Sequence, residues 1–225
     1  MKMNKKLRRI LLTVCSAALL VCVTVGATVA YLTSSDEVTN TFVVGNVTIT
    51  LDEAKINEAG KPVKVTQVEE NGEMVEKLEE VENAADATRV DGNSYHLFPS
   101  HEYTKDPTIH VKAGSEKCWL FVKVENGIKD IEDATTNIAA QLTANGWSLV
   151  SDTENVYSYK NIIDAATATT DTDVTVFEKI KIADTVDGTT LASYASKTVK
   201  VTAYAIQADG FTTAEDAWTT AGSSF

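Results

Sequence analysis

The sequence predicts a mainly β fold, an antiparallel β-sandwich with one or two short helices, preceded by an N-terminal signal helix. Three observations predict it. Apolar and polar residues alternate in several separated runs, one internal stretch steps with helical spacing, and the first thirty residues are a cationic head followed by an uncharged apolar run. Period two is the mark of a half-buried strand and period 3.6 that of a half-buried helix.

The strand runs come first. Val47, Ile49 and Leu51 alternate with Thr48, Thr50 and Asp52; Ile109, Val111 and Ala113 alternate with Thr108, His110 and Lys112; Val199, Val201, Ala203 and Ala205 alternate with Lys200, Thr202, Tyr204 and Ile206. Abundant Val and Thr suit a pleated surface. Cys118, Leu120, Val122 and Val124 share one face of a further strand, and residues 174–182 form another whose alternation is interrupted near Phe177. Ile128, Ile131, Ala134, Ile138 and Leu142 make a helical stripe that stops at Asn145-Gly146. A second, shorter helix is suggested over residues 160–168. Residues 54–90 carry Glu69, Glu70, Glu73, Glu76, Glu79, Glu80 and Glu82 around a turn signal at Asn71-Gly72. That pattern fits a projecting hairpin or acidic loop, and equally an insertion left partly disordered by like-charge repulsion.

The chain has 225 residues, 20 basic against 32 acidic, for a net charge of −12. All five cations of the first thirty residues (Lys2, Lys5, Lys6, Arg8 and Arg9) precede residue 10, and the first acid is Asp36. Without that segment 15 basic groups face 32 acidic ones, a net of −17. So acidic a chain excludes nucleic acid as a partner, because phosphate binding needs a cationic surface. It also leaves the leader as the single route to a membrane. The leader ends in small residues, with Thr28 and Ala30 at the −3 and −1 positions of a cut before Tyr31. That is the layout of a cleaved secretory signal peptide; an uncleaved anchor over residues 10–30 is the alternative. Cleavage removes Cys15 and Cys22 and leaves Cys118 as a buried small hydrophobe.

No catalytic constellation is visible. His101-Glu102 lacks a second His four positions after the first, where Lys105 stands, so no zinc helix forms there. His96 and His101, five apart around Pro99, are the remaining sparse metal pair. The acidic turns Thr170-Asp171-Thr172-Asp173 and Ser151-Asp152-Thr153-Glu154 lack the spacing of a calcium loop. Neither a Gly-rich phosphate loop nor a Gly-x-Ser-x-Gly elbow occurs. The expectation is a protein with no enzyme activity, no catalytic or metal residues and no cofactor.

The junction Ala27-Thr-Val-Ala-Tyr-Leu-Thr-Ser-Ser-Asp, followed by Asn40-Thr-Phe-Val-Val-Gly-Asn-Val-Thr-Ile-Thr-Leu-Asp-Glu53, resembles proteins with a SipW-dependent-type signal peptide, the TasA and camelysin (CalY) group of Gram-positive secreted proteins. The stretch Pro107-x-Ile-x-Val with Gly114-Ser115, and Ala203-Tyr-Ala-Ile-Gln-Ala-Asp-Gly-Phe211, are similar to the same group. The resemblance implies a jelly-roll-like sandwich, export, cleavage by a dedicated signal peptidase, and homo-oligomeric fibres of the biofilm matrix in which a freed N-terminal segment inserts into a neighbouring subunit. The organisation then reads as a signal peptide at 1–30, a donor-strand candidate at 31–42 and a sandwich at 43–225 with the acidic insertion at 54–90. Leu32, Val38 and Phe42 are the side chains of that candidate suited to fill acceptor pockets. A flexible start is the plain alternative for the segment. Two alternatives stand for the protein, a monomeric cell-surface binding module and a camelysin-like secreted metallopeptidase, the latter without a matching zinc motif.

Overall fold

The structure, a computed structural model, describes residues 33–37, 40–41, 47–70 and 72–222. The expected signal helix lies outside them. The described chain is mainly β and antiparallel, and two sheets enclose the principal core.

The larger sheet runs β10 (Trp147–Leu149), β11 (Val156–Tyr159), β9 (Cys118–Asn126), β14 (Val199–Gln207), β1 (Thr33–Glu37) and β2 (Asn40–Thr41). The second runs β12 (Thr172–Thr175), β8 (Thr108–Val111), β3 (Ile49–Ala54) and β6 (Arg89–Val90). β7 (Glu102–Thr104) pairs with β13 (Lys179–Lys181), and β4 (Val63–Glu70) with β5 (Glu73–Glu80). The predicted alternations set the packing. Ile49, Leu51, Ile109, Val111 and Val174 of one sheet meet Leu120, Val122, Val201, Ala203 and Ala205 of the other. Side chains two apart point the same way, so each strand delivers one apolar row inward.

β9 is apolar on both faces over its first five residues, Cys118 to Val122. Cys118, Leu120, Val122 and Val124 face the principal core, whereas Trp119 and Phe121 join Ile206 in a second one. That outer core is closed by α3 (Ala214–Ala221), which contributes Ala217, Ala221 and Trp218. Thr213 starts this helix, its hydroxyl accepting from the Asp216 amide at 3.1 Å. The Phe121 and Trp218 rings lie 5.0 Å apart, centre to centre. A strand with two buried rows is the natural centre of a layered structure.

The helical expectations need correction. The stripe from Ile128 to Leu142 is not one helix. A 3₁₀ turn (Lys129–Ile131) is followed by extended backbone, and α1 is only Ile138–Ala144. Glu132 bridges to Ile182, and the Asp133 amide donates to the Lys181 carbonyl at 2.9 Å, so this stretch pairs like a strand beyond β13. Asp133 then accepts from the Thr135 and Thr136 amides at 3.0 and 3.1 Å, turning the chain away. Asn137 caps the real helix through the Ala140 amide at 2.9 Å. Ile128, Ile131, Ile138 and Leu142 are buried either way although Ala134 is exposed, which is why the spacing of the stripe imitates a longer helix. The Asn145-Gly146 stop is observed, with Gly146 at φ +87°. No helix forms over residues 160–168; Ile163 exchanges both backbone bonds with Cys118 at 2.9 Å, alongside β9. A further short helix, α2 (Gly188–Ala192), is capped by Asp187 and lacks any apolar repeat long enough to announce it.

Residues 174–182 divide at the buried Phe177, β12 joining the four-stranded sheet and β13 pairing with β7. The acidic segment takes the hairpin form. β4 and β5 pair from Val63↔Glu80 to Glu70↔Glu73, and the chain returns through β6 to pair with Glu53 and Ala54. The hairpin base is held by the loop at Asn57–Lys61, where Gly60 has φ +76° and lies against the ring of Tyr103, itself fully buried. A Cβ at Gly60 would collide with that ring. Gly60→Ala is therefore expected to destabilise the fold by about 2–4 kcal/mol through left-handed strain and steric conflict. Gly188→Ala, where a Cβ meets nothing within 4 Å, should be neutral to slightly stabilising; urea denaturation of the two variants checks the contrast.

Candidate functional site

The site grows from the place where an inward alternation meets a charge. β3 turns Ile49 and Leu51 into the core, and the next inward residue is Glu53, only 4% exposed. A buried carboxylate needs partners. Lys105 supplies the first, its Nζ donating to Glu53 Oε2 at 2.5 Å while itself only 8% exposed. Asn93 Nδ2 donates to Glu53 Oε1 at 2.8 Å and to the Ala54 carbonyl at 2.9 Å, and Asn93 Oδ1 accepts from the Ile56 amide at 3.1 Å. The Lys105 ammonium stands 5.5 Å from the centre of the Tyr95 ring. Burial pushes the Tyr95 phenol far above its ordinary range, the Glu53 charge adding to the effect, and its hydroxyl donates to the Thr104 carbonyl at 3.3 Å.

This polar group forms one end of a cleft of about 870 Å³ between the sheets. Leu51, Ile128, Ile180 and Val201 form its buried apolar walls. Leu97, Leu191, Tyr194 and Val199 are half-buried around it, and Lys197 and Lys200 belong to its lining. Residues 93, 95 and 97 alternate inward without belonging to any strand, as an extended strap along one side.

The outward face of the same sheet carries a chain of charges. His110 Nδ1 lies 2.6 Å from Asp173 Oδ1 and its Nε2 2.9 Å from Asp52 Oδ1, tying β12, β8 and β3 together. Arg89 Nε donates to the same Asp52 oxygen at 2.7 Å, and its Nη1 to Asp106 Oδ2 at 2.5 Å. Asp106 Oδ1 accepts from the Ala54 amide at 2.7 Å. A neutral imidazole donates once, so two carboxylates at its two nitrogens favour the cation. The hydrogen bond to Asp52 accordingly raises the His110 pKa, against the opposing pull of burial and with help from Asp173.

The second functional feature is the sheet edge. β1 pairs antiparallel with β14 from Thr33↔Ile206 to Asp36↔Ala203, and β2 turns back on β1. β14 runs on past β1 as Val199–Thr202, along the cleft. The cleavage residues Thr28, Ala30 and Tyr31 and the donor side chains Leu32, Val38 and Phe42 all lie outside the described residues. Their intervening backbone is the part that pairs with β14. Cys118 is buried, and desolvation pushes its thiol up to about 12. His101 Nδ1 sits 3.0 Å from the Pro99 carbonyl, and no group of three or more metal-ligating side chains occurs among the described residues. No helix among the described residues is long and apolar enough to cross a membrane. Glu53 and Lys105 were not candidates in the sequence, although an acid continuing the Val47-Ile49-Leu51 row was a readable signal.

Comparison with protein-family models, with characterised proteins and with solved structures finds no match.

Two outcomes follow from these contacts. Lys105→Met should cost about 3–5 kcal/mol by leaving Glu53 buried and unpaired, whereas Glu53→Leu with Lys105→Met should recover most of that loss; a double-mutant cycle in urea checks this. His110, with a folded pKa raised above its ordinary 6.5, contributes stability that is full below that unfolded value and is lost as pH rises through the folded value. His110→Gln should therefore destabilise the protein more at pH 5.5 than at pH 8.5, as measured by denaturation at both.

Proposed function

We propose that the protein is a secreted, non-enzymatic structural protein of the extracellular matrix or cell surface, whose copies join into fibres by exchanging N-terminal strands once the leader is removed. The observation that carries this reading is the position of β1, the N-terminal segment added to the edge of β14. Strand pairing rests on backbone bonds, so the same segment from another copy satisfies β14 equally well. A head-to-tail exchange of this kind is a heterologous contact, which propagates instead of closing. An attached leader would hold the segment at the membrane, so signal peptidase would act as the assembly switch.

The charge of the processed chain sets the conditions. Copies at −17 repel one another, and screening within about 10 Å at 0.1 M salt relieves this. The processed protein should form filaments in electron micrographs, faster with added salt or divalent cations, and a form lacking residues 31–41 should form none. Equal filaments from both forms would remove strand exchange. One observation favours a monomeric binding module instead, the β4–β5 hairpin, whose Met74 and Leu78 are 63% and 50% exposed; a processed protein that stays monomeric at high concentration on size exclusion would select it.

A further inference from the structure

The cleft has a chemistry that strand exchange at the sheet edge does not require. Leu51, Ile128, Ile180 and Val201 give it a buried aliphatic wall beside polar residues that include Asp91, His96, Lys197 and Lys200, yet one end is closed by a buried ion pair where two apolar side chains of similar volume would hold the fold equally well or better. A few converging polar groups in an otherwise apolar cavity of several hundred Å³ are the usual form of a small-molecule site.

The hydrogen-bond inventory of that end is asymmetric. Glu53 Oε1 accepts from Asn93, and its Oε2 accepts from Lys105. The Lys105 ammonium has three N–H groups. One goes to Glu53, and the charge faces the Tyr95 ring. Donor capacity therefore remains at Lys105, and the complementary group is an acceptor. Its charge is already matched by Glu53 at 2.5 Å, and Lys197 and Lys200, the other lysines of the lining, are exposed to solvent, so an anionic head placed at Lys105 would be set against that carboxylate. A neutral oxygen avoids this repulsion.

We infer that the cleft binds an uncharged, largely apolar small molecule, with its chain against Leu51, Ile128, Ile180 and Val201 and a carbonyl or hydroxyl oxygen accepting from Lys105. The strap at Asn93, Tyr95 and Leu97 forms one wall of the site and holds the Glu53 carboxylate in place for it.

The test uses the full chain with ¹³C-labelled methyl groups, 2-decanone as the uncharged probe and decanoate as its charged counterpart. Saturable shifts of the Ile128, Ile180 and Val201 methyls with 2-decanone are expected, with binding at least tenfold weaker for decanoate. Leu51→Trp, which fills the cleft, should abolish them, and the paired substitution Glu53→Leu/Lys105→Met should erase the preference for the ketone. No shifts up to the solubility limit, shifts that Leu51→Trp leaves unchanged, or equal binding of decanoate would each overturn the inference. The Leu51→Trp comparison also separates cleft binding from adsorption to the apolar leader.

Discussion

The double burial of β9 is the constraint on which the remaining architecture depends. One row, Cys118 to Val124, must be covered by the β3–β8–β12 sheet; the other, Trp119 and Phe121, by the C-terminal helix. Neither cover could be removed without exposing large apolar side chains to water, at about 1.5–3 kcal/mol for each side chain laid bare. β14 lies beside β9 along its whole length, from Val199↔Asn126 to Gln207↔Cys118, and so inherits a fixed position. Because β14 is fixed, its far edge is a rigid template, and the N-terminal segment pairs with it from Thr33↔Ile206 to Asp36↔Ala203.

Much of this was legible in the sequence, and what was not has identifiable physical causes. The alternations at Val47–Leu51, Ile109–Val111 and Val199–Ala205 each correspond to a strand, the first two with one face buried and the other not, the last with Thr202 and Ile206 of its second face buried as well. The disturbance at Phe177 marks a real division between two sheets. The turn signal at Asn71-Gly72 corresponds to a hairpin. The helical stripe misled because Ile128, Ile131, Ile138 and Leu142 all reach the core from three different backbone conformations, so burial alone reproduced the spacing. α2 and α3 depend on the caps at Asp187 and Thr213, which are weak signals without a long apolar face behind them.

The site was harder to read than the fold. Glu53, Lys105 and Asn93 come from three separated stretches, and only their convergence gives them meaning. His110 was visible as the polar member of an alternation, but nothing in its own strand announced that Asp52 and Asp173 would stand on either side of it. Cross-strand partners are set by register, and register is a property of paired strands, not of any one of them. The acidic composition hid these residues as well, since a chain with 32 carboxylates offers no reason to single out four of them.

The placement of the indoles has a spectroscopic consequence. Trp147 is fully buried in the principal core, near Tyr159, whereas Trp119 and Trp218 belong to the outer layer, Trp119 on β9 and Trp218 on the C-terminal helix itself. The two layers thus carry separate intrinsic fluorophores. Detachment of the terminal helix would redshift emission from one pair while the third stays dark to solvent quenchers, so partial loosening is distinguishable from global melting without any attached dye.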